Sequence, residues 1–332
     1  MILDDNRIDQ LIENSNYPSP HNTQPIKWKI KSDGSFKLLF NEKRWLKYAD
    51  PSKRDLQLTI GAALESLTIA ASQFKLQLND IEYLFEDNVK VNTNIKLAVT
   101  GKIYEGGTPD HLLEFVKKRK SWRGKFLPES DQTINEIKSA LLSRTLYIIT
   151  DRILINQCAH WYDKNTFEFL KEKNYQKELY EWLRFLKSHP DYNFDGLNAD
   201  CLNLNSLLAK LGHVLYNPKI YEKFSSSFLA KLLSSEEAVT NTAPFLSVLI
   251  NPPSKSYIDS GRQMFRDWLR LTALGYYGAP ISSLTDNKET SKKLLNSISH
   301  KSDDEIIFVM RCGRPDGEIP QSGRLSLDRI RF

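Results

Sequence analysis

The sequence contains few cysteines and no long hydrophobic run. Its three cysteines, Cys158, Cys201 and Cys312, lie far apart and form no CxxC pair, so we expect neither a disulfide framework nor a cysteine-based metal site. No apolar stretch approaches the roughly 18 residues needed to span a bilayer. The acidic first five residues, MILDD, lack the basic and apolar regions of a signal peptide. We therefore expect a cytoplasmic protein with no membrane partner.

Glycine and proline are also scarce, at 14 each among 332 residues. With 40% apolar and 26% charged residues, the composition is that of a globular chain of about two domains, which excludes collagen, coiled coil and extended disorder. The histidines show no metal-ligand spacing such as HExxH, so no metal is expected. The net charge of +5 is compatible with a phosphorylated ligand and does not by itself indicate nucleic acid.

Short strand patterns and amphipathic helix patterns are mixed along the chain, which predicts the α+β class. Residues 26–30 alternate apolar and polar side chains and form a predicted hairpin with residues 36–40. Further strands are predicted at 81–85, 95–103, 245–250 and 305–310. Helices are predicted at 4–16, 53–74, 109–119, 131–144, 150–171, 176–187, 201–213, 218–234 and 257–274.

Two helical segments in different halves of the chain are similar. Residues 61–76 align without a gap on residues 261–276, and each segment begins with glycine and is followed, after a loop, by an apolar strand. Two unrelated amphipathic helices could align this well. If the repeat is real, the chain is a homodimer fused into one polypeptide, with an interface between its halves.

A dense polar segment, PSPHNTQP at residues 18–25, lies between the first helix and the first strand. Its three prolines restrict the backbone and lower the entropy lost when the segment is ordered. Asn22 and Gln24 each offer a donor and an acceptor, which suits the edge of a heteroaromatic ring. A solvated turn has a similar composition, so the segment alone leaves both interpretations open.

A basic segment, KKRKSWRGKF, occupies residues 117–126. It is compatible with a solvated helix end, with a nucleic-acid or nuclear-localisation patch, and with a phosphate site. On an extended segment Arg119, Ser121 and Arg123 point to one side, where two guanidinium groups and a hydroxyl suit a phosphate. The arginines and glycines at 311–315 and 321–324 give a similar, weaker indication.

Taken together and in this order, the three segments resemble motifs of the nitroreductase-like flavoprotein superfamily. Residues 19–25 resemble its PSxxNxQPW loop, but Ile26 replaces the usual Trp, so that an aromatic is missing or is supplied by Trp28. Other resemblances are the RRSxRxF element at 119–126, the central-helix pattern at 61–71, its second copy at 261–280 with the Gly275-Tyr276 turn, and the terminal segment at 322–327. The motif order, the length and residues 175–182 are typical of the fused, two-lobed Acg-like branch.

The resemblance implies a nitroreductase-like α+β fold of two fused lobes, each a mixed or antiparallel sheet flanked by helices. We place a truncated first lobe at residues 1–107 and a second lobe at 108–332, with a helical insert at about 165–235. The chain would be a monomer or a weak oligomer, because the lobes bury each other's interface. The insert contains aromatic residues that could cover a ring system, namely Tyr175, Tyr180, Trp182, Phe185, Tyr192 and Phe194.

The resemblance further implies one FMN between the lobes, because each lobe carries only part of the signature. In the family, NADH or NADPH reduces the flavin, and a nitroaromatic or quinone-like acceptor then takes the hydride. No protein acid or base is obligatory, so we name no catalytic residue. The residues expected to bind FMN are Pro18, Ser19, Pro20, His21, Asn22, Gln24, Arg119, Ser121, Arg123, Gly275, Tyr276 and Arg324.

Two other functions are compatible with the sequence. A protein that sequesters FMN would have the same site beneath a closed lid and would turn over little, as the Acg-like relatives suggest. A nucleic-acid binder would use residues 117–125, and its affinity would depend steeply on salt. We rank the oxidoreductase first, because the arginines suit a reducible flavin and most of the superfamily uses it in this way.

Overall fold

The structure, a computed structural model, describes residues 2–141, 145–298 and 303–332. The last residues of the helix predicted at 131–144 lie outside these ranges. Within them, no helix is both long and apolar enough to cross a membrane. Cys158, Cys201 and Cys312 are buried free thiols.

The first part of the chain forms a four-stranded antiparallel sheet with two helices. The first helix begins where the Asp4 carboxylate accepts a hydrogen bond from the Arg7 amide at 2.7 Å. The strands are ordered β1-β2-β4-β3, and the predicted hairpin is confirmed, with Ile26 opposite Phe40. The elements are α1 (Asp5–Asn14), β1 (Ile26–Ile30), β2 (Ser35–Asn41), α2 (Arg54–Ser72), β3 (Leu76–Tyr83) and β4 (Ile95–Glu105).

The second part contains another four-stranded antiparallel sheet and most of the helices. Its elements are α3 (Leu113–Val116), α4 (Asp131–Ala140), β5 (Leu146–Ile149), α5 (Arg152–Lys171), α6 (Lys173–Glu181), β6 (Leu183–Arg184), β7 (Leu197–Asn198), α7 (Ser206–Leu215), α8 (Pro218–Phe224), α9 (Phe228–Leu233), α10 (Glu237–Thr240), β8 (Phe245–Asn251), α11 (Tyr257–Ala273), β9 (Tyr277–Pro280), α12 (Ser283–Asp286), α13 (Lys288–Ser297), β10 (Glu305–Gly313) and α14 (Leu327–Ile330). The sheet order is β5-β8-β10-β9. Every residue of β8 is buried, as its continuous apolar run predicts.

Several boundaries differ from the sequence expectation. The helix predicted at 109–119 is only the single turn α3, because the chain continues through a bridge between Ser121 and Gly278. The helix predicted at 218–234 is divided into α8 and α9, because the Ser227 hydroxyl accepts from the Ala230 amide and starts a new helix. The sequence did not predict β5 or β9.

The two sheets are equivalent in topology. In each sheet the second strand of the order leads into a long helix, α2 or α11, and the chain then enters the strand at the far edge. These two helices pack against each other where Gly61 meets Gly261, and a Cβ on Gly61 would lie 2.9 Å from the Gly261 Cα. The α+β class with two lobes is therefore confirmed, and both sheets are antiparallel.

The end of the chain crosses to the first sheet. The Phe332 amide donates to the Trp28 carbonyl at 2.7 Å, and the Lys27 ammonium donates to the Arg329 carbonyl at 2.8 Å. The boundary proposed at 107/108 falls between β4 and α3 and stays a prediction. The last residues of the proposed second lobe thus pack on the first.

Candidate functional site

A cavity of about 820 Å³ lies where the polar loop, the basic segment, the helical insert and the tail meet. Its volume is within the range of about 300–1,000 Å³ typical of small-molecule and cofactor sites. The residues of the sequence-predicted site that line it are Pro18, Ser19, Pro20, His21, Asn22, Arg119, Ser121, Arg123 and Arg324. Residues far apart in the sequence therefore come together at one cavity.

The polar loop has a strained backbone. His21, Asn22 and Gln24 have φ values of 46°, 54° and 48°, in the left-handed region that side chains other than glycine adopt at a cost. Backbone strain of this kind is concentrated at functional sites, where the surrounding structure holds it in place. Here Asn22 Nδ2 donates to the carbonyls of Gly323 at 3.0 Å and Gly196 at 3.2 Å. The loop is thereby fixed to the tail and to the insert.

Gln24 has a different position from the one expected. It is buried and does not line the cavity. Its Nε2 donates to the Phe194 carbonyl at 2.8 Å, and its Oε1 accepts from the Leu325 amide at 3.0 Å. Gln24 therefore positions the tail beside the cavity and makes no contact with its interior.

The basic segment is extended along the edge of the second sheet. Ser121 bridges to Gly278, and the Trp122 amide donates to the Gly278 carbonyl at 3.0 Å. Arg119, Ser121 and Arg123 line the cavity as expected and Trp122 packs into a separate apolar cluster, but Lys120 lines the cavity as well, so the alternation is incomplete. Strand-like geometry thus directs both guanidinium groups toward the cavity.

Arg119, Lys120 and Arg324 line the cavity and form no ion pair among the described residues. Arg119 is 2% exposed and stacks over the Trp268 ring at 4.7 Å from its centroid. Among the described residues, the Nε atoms of Arg119 and Arg324 have no hydrogen-bond partner. Burial, followed by the positive charge of Arg324, lowers the pKa of Arg119 to about 9 and that of Lys120 to about 8. An anion bound here would satisfy the free donors and stabilise both charges.

His21 is a neutral group at this site. Burial, followed by the charge of Arg123, lowers the pKa of His21 to about 4. Its Nδ1 is buried without a hydrogen-bond partner in the described part of the chain. At neutral pH the imidazole can donate or accept a hydrogen bond, but it carries no charge to deliver as an acid.

A group of carboxylates on the same cavity was missed by the sequence analysis. Arg54 forms ion pairs with Asp55 at 2.8 Å and Asp286 at 2.6 Å, and Asp50 accepts from the Leu56 amide at 2.9 Å. Burial, followed by the charge of Asp55, raises the pKa of Asp50 and of Asp286 to about 7. Asp286 comes from the second half of the chain, so sequence spacing could not place it beside Arg54.

The helical insert forms much of the apolar wall. Tyr175 and Phe185 line the cavity as expected of covering aromatics, whereas Tyr180, Trp182, Tyr192 and Phe194 do not. The other large apolar side chains of the insert on the wall are Leu170, Leu179, Leu183, Leu197, Leu202, Leu204, Leu208, Leu211, Tyr216 and Leu233. The insert therefore lies over the cavity, a point that the sequence left open.

Gly275 and Tyr276 do not line the cavity, so their expected place at the site is corrected. Gly275 has φ +81° and ends α11. Tyr276 is 5% exposed, packs against Phe245 at 5.8 Å between ring centroids, and contacts Glu129 through its hydroxyl. Trp28 is fully buried in the first lobe's core and supplies no aromatic to the cavity. Trp268 of α11 does line it, and an amphipathic-helix pattern alone did not reveal that.

No protein-family model and no curated protein matches the chain. Among solved structures, it is similar to a nitroreductase with bound FMN from Bacteroides fragilis, at 13% identity and TM-score 0.37, over 65% of this chain and 95% of that one. It is also similar to oxidized iodotyrosine deiodinase bound to FMN and 3-iodo-L-tyrosine, at 17% identity and TM-score 0.36, over 65% and 95%. A third is the NADPH:FMN oxidoreductase from Vibrio harveyi complexed with NAD+, at 15% identity and TM-score 0.35, over 65% and 74%. At these scores the likeness assigns no activity, and the function must be argued from the site itself.

Proposed function

We propose that the cavity binds FMN and that the protein is an FMN-dependent oxidoreductase of the nitroreductase type. It would take a hydride from NADH or NADPH and pass it to a nitroaromatic or quinone-like acceptor. The observation that carries the proposal is the pair of buried Arg119 and half-buried Arg324 beside the strained loop on one cavity, each with an Nε that has no hydrogen-bond partner in the described part of the chain. One site between the lobes corresponds to one FMN per chain.

The residues present fit FMN. A phosphate monoester carries about −1.5 to −2 charge at neutral pH, which matches Arg119 and Arg324 with the Ser121 hydroxyl. The loop offers the His21 Nδ1, which has no partner among the described residues, and the Ser19 hydroxyl to a ring edge. The Asn22 side chain is occupied by its bonds to Gly196, Gly323 and Arg324. The apolar wall of the insert suits an aromatic ring system.

When bound, FMN supplies the two-electron hydride chemistry that the side chains of this cavity lack. Arg123 lines the cavity as a cation and donates to the Cys201 carbonyl at 3.3 Å, and it would stabilise negative charge that develops on a reduced ring. The apolar side chains of the insert on the wall would limit the access of water to a bound ring. His21, neutral at physiological pH, orients the ligand by hydrogen bonding.

FMN storage is the second candidate, and the position of the insert favours it. An insert that covers the cavity would exclude a nicotinamide together with water. The site would then hold FMN with little turnover. The two candidates share every binding contact and differ only in access to the bound ring.

The nucleic-acid alternative is disfavoured by burial of the basic segment. Arg119, Trp122 and Phe126 are buried, and exposed Lys118 pairs with Glu114 at 2.8 Å. A phosphate backbone needs a row of accessible cations, and this segment instead directs its arginines into a cavity.

The test is anaerobic mixing of the FMN-loaded protein with excess NADH or NADPH. Loss of the oxidised flavin absorbance within seconds, and its return when a quinone or nitroaromatic is added, would support the oxidoreductase. If dithionite bleaches the flavin while neither nicotinamide does so over many minutes, the oxidoreductase proposal fails and storage becomes the better account. If purified protein binds no FMN at all, both candidates fail.

A further inference from the structure

Two helices of the insert repeat one short pattern. Residues 206–211 of α7 read SLLAKL, and residues 227–232 at α9 read SFLAKL. In both, the small alanine faces inward, with Ala209 4% and Ala230 0% exposed. The large apolar side chains face solvent, with Leu207 75% and Phe228 80% exposed. This arrangement is the reverse of a helix that buries its apolar face in its own core.

We call the exposed apolar side chains of α7 and α9, two helices that both contact α8, the apolar face of the insert. It consists of Leu207, Leu208, Leu211 and Val214 on α7 with Phe228, Leu229 and Leu232 on α9, each 41–80% exposed. Leu208 and Leu211 also line the cavity, so this face and the cavity share two side chains. So many exposed, large apolar side chains are typical of a surface that binds a membrane or another protein.

The charge around this face is positive. Lys210 and Lys231 occupy the same place in the two patterns, and α8, which contacts both helices, carries Lys219 and Lys223. All four lysines are exposed. Glu222 is the one acidic residue in the sequence of 204–233, and it pairs with Lys173 at 2.7 Å. Amphipathic helices with leucine and phenylalanine on one side and lysine beside them bind the interface of anionic membranes.

A second copy of the chain would fit this face less well. In a symmetric dimer the same patch meets itself, so the lysines of one copy would approach those of the other. A surface of anionic lipid headgroups above acyl chains complements both the lysines and the leucines. The charges and the apolar side chains therefore favour an anionic lipid surface over a second copy of the chain.

We propose that the apolar face of the insert docks on the surface of an anionic lipid bilayer. The leucines and Phe228 enter the boundary between headgroups and acyl chains, and the four lysines contact the headgroups. Leu208 and Leu211, which also line the cavity, then lie at the lipid surface. This docking is peripheral, it replaces the sequence expectation of no membrane partner, and it does not depend on FMN binding.

The first experiment is cosedimentation of the full chain with vesicles of phosphatidylglycerol and phosphatidylcholine, or of phosphatidylcholine alone. We expect binding to the anionic vesicles that weakens as salt is added. The double variant Leu207→Ser, Phe228→Ser should bind at least about tenfold more weakly, because two large apolar groups lose their burial in lipid. The matched control is Ile153→Ser, which removes a side chain 70% exposed on α5 and should leave binding unchanged.

The second experiment tests the charges. Lys210→Gln and Lys231→Gln should each weaken binding to anionic vesicles by about fivefold, while Lys292→Gln, an exposed lysine on α13, should not. These side chains lie on the surface, and unchanged circular dichroism would verify folding. Absence of vesicle binding by the natural protein, or equal binding by the double apolar variant, would overturn the proposal. Self-association that this double variant abolishes, without vesicle binding, would assign the face to a second copy instead.

Discussion

At the scale of single residues, the polar loop shows what a sequence pattern can and cannot reveal. The density of proline and amide side chains predicted an ordered segment, and the structure places five of its residues on the cavity, Pro18, Ser19, Pro20, His21 and Asn22. The positive φ values of His21, Asn22 and Gln24 could not be predicted, because no glycine marks them. They result from contacts with residues 194–196 and 323–325, which are distant in sequence.

Substitution of His21 tests whether the backbone of the polar loop is strained. Because glycine adopts positive φ without the Cβ penalty, we expect the free energy of unfolding of His21→Gly to exceed that of His21→Ala by about 1 kcal/mol. Both variants lose the imidazole from the cavity, so both should bind FMN more weakly. Denaturant unfolding of the two proteins gives the comparison. A more stable alanine variant would mean that the loop is unstrained in solution.

The carboxyl groups near Arg54, above all that of Asp286, make the free energy of unfolding depend on pH. The folded-state pKa of Asp286 is raised to about 7, so the folded protein holds a proton that the unfolded chain releases above about pH 4. The free energy of unfolding should therefore fall as pH rises from about 4 to 7 and become level above that, a change on the order of 2–4 kcal/mol. Asp286→Asn should reduce this slope and leave the part that comes from Asp50, whose pKa is raised to about 7 in the same way.

Unfolding by urea across this pH range measures the slope. The control is Asp87→Asn, an exposed aspartate outside the cavity, which should keep the natural slope. If Asp286→Asn and the natural protein lose stability in parallel as pH rises, Asp286 is ionised throughout and its environment has been misjudged.

At the scale of elements, the long amphipathic helices and the apolar strand β8 were predictable because one period runs through each of them. The edge strands β5 and β9 were not. β9 contains Gly278 and ends at Pro280, which read locally as a turn, and it is a strand only because β10 supplies its partner. In the same way, the helix predicted at 109–119 is only the single turn α3, and the chain then forms a bridge between Ser121 and Gly278. In both places, pairing with a segment distant in sequence determined the local backbone conformation.

The crossing of α2 and α11 depends on two glycines. A Cβ on Gly61 would lie 1.9 Å from the Ile258 carbonyl oxygen, and one on Gly261 would lie 2.2 Å from the Leu58 carbonyl oxygen. Gly61→Ala should therefore destabilise the protein by about 3 kcal/mol or more, although alanine favours an isolated helix. Thermal unfolding measures the loss, with Gln57→Ala on the same helix as control. A stabilising Gly61→Ala would show that the helices do not approach closely.

At the scale of the whole molecule, the similarity of two helical segments reflects two halves that share the same arrangement of strands and helices. Both sheets have the same strand order and the same connecting helix, so the chain has the form of a fused dimer. The cavity uses residues from both halves and from the tail, and for this reason no local pattern could predict its shape. The aromatic residues of the insert suggested that it could cover a ring system, but only the fold shows which of them, Tyr175 and Phe185, line the cavity.

Residues from both halves of one chain line the cavity, so the proposed FMN site would need no second chain. We expect the fraction of chain carrying bound FMN, at fixed free FMN, to stay constant as protein is diluted. Size and flavin content measured together across a dilution series provide the test. Simultaneous loss of flavin and of an oligomer on dilution would show that a second chain completes the site.

The central claim is that one FMN binds per chain with its phosphate at Arg119 and Arg324. It is tested most directly by titrating FMN and riboflavin, which lacks the phosphate, into the natural protein and Arg119→Gln. We predict one FMN per chain, and an FMN affinity about 10–150-fold lower in the variant, the loss of a hydrogen bond to a charged group, while riboflavin binds both proteins equally. Equal FMN affinity in the two proteins, or an equal loss for both ligands, would contradict this placement of the phosphate.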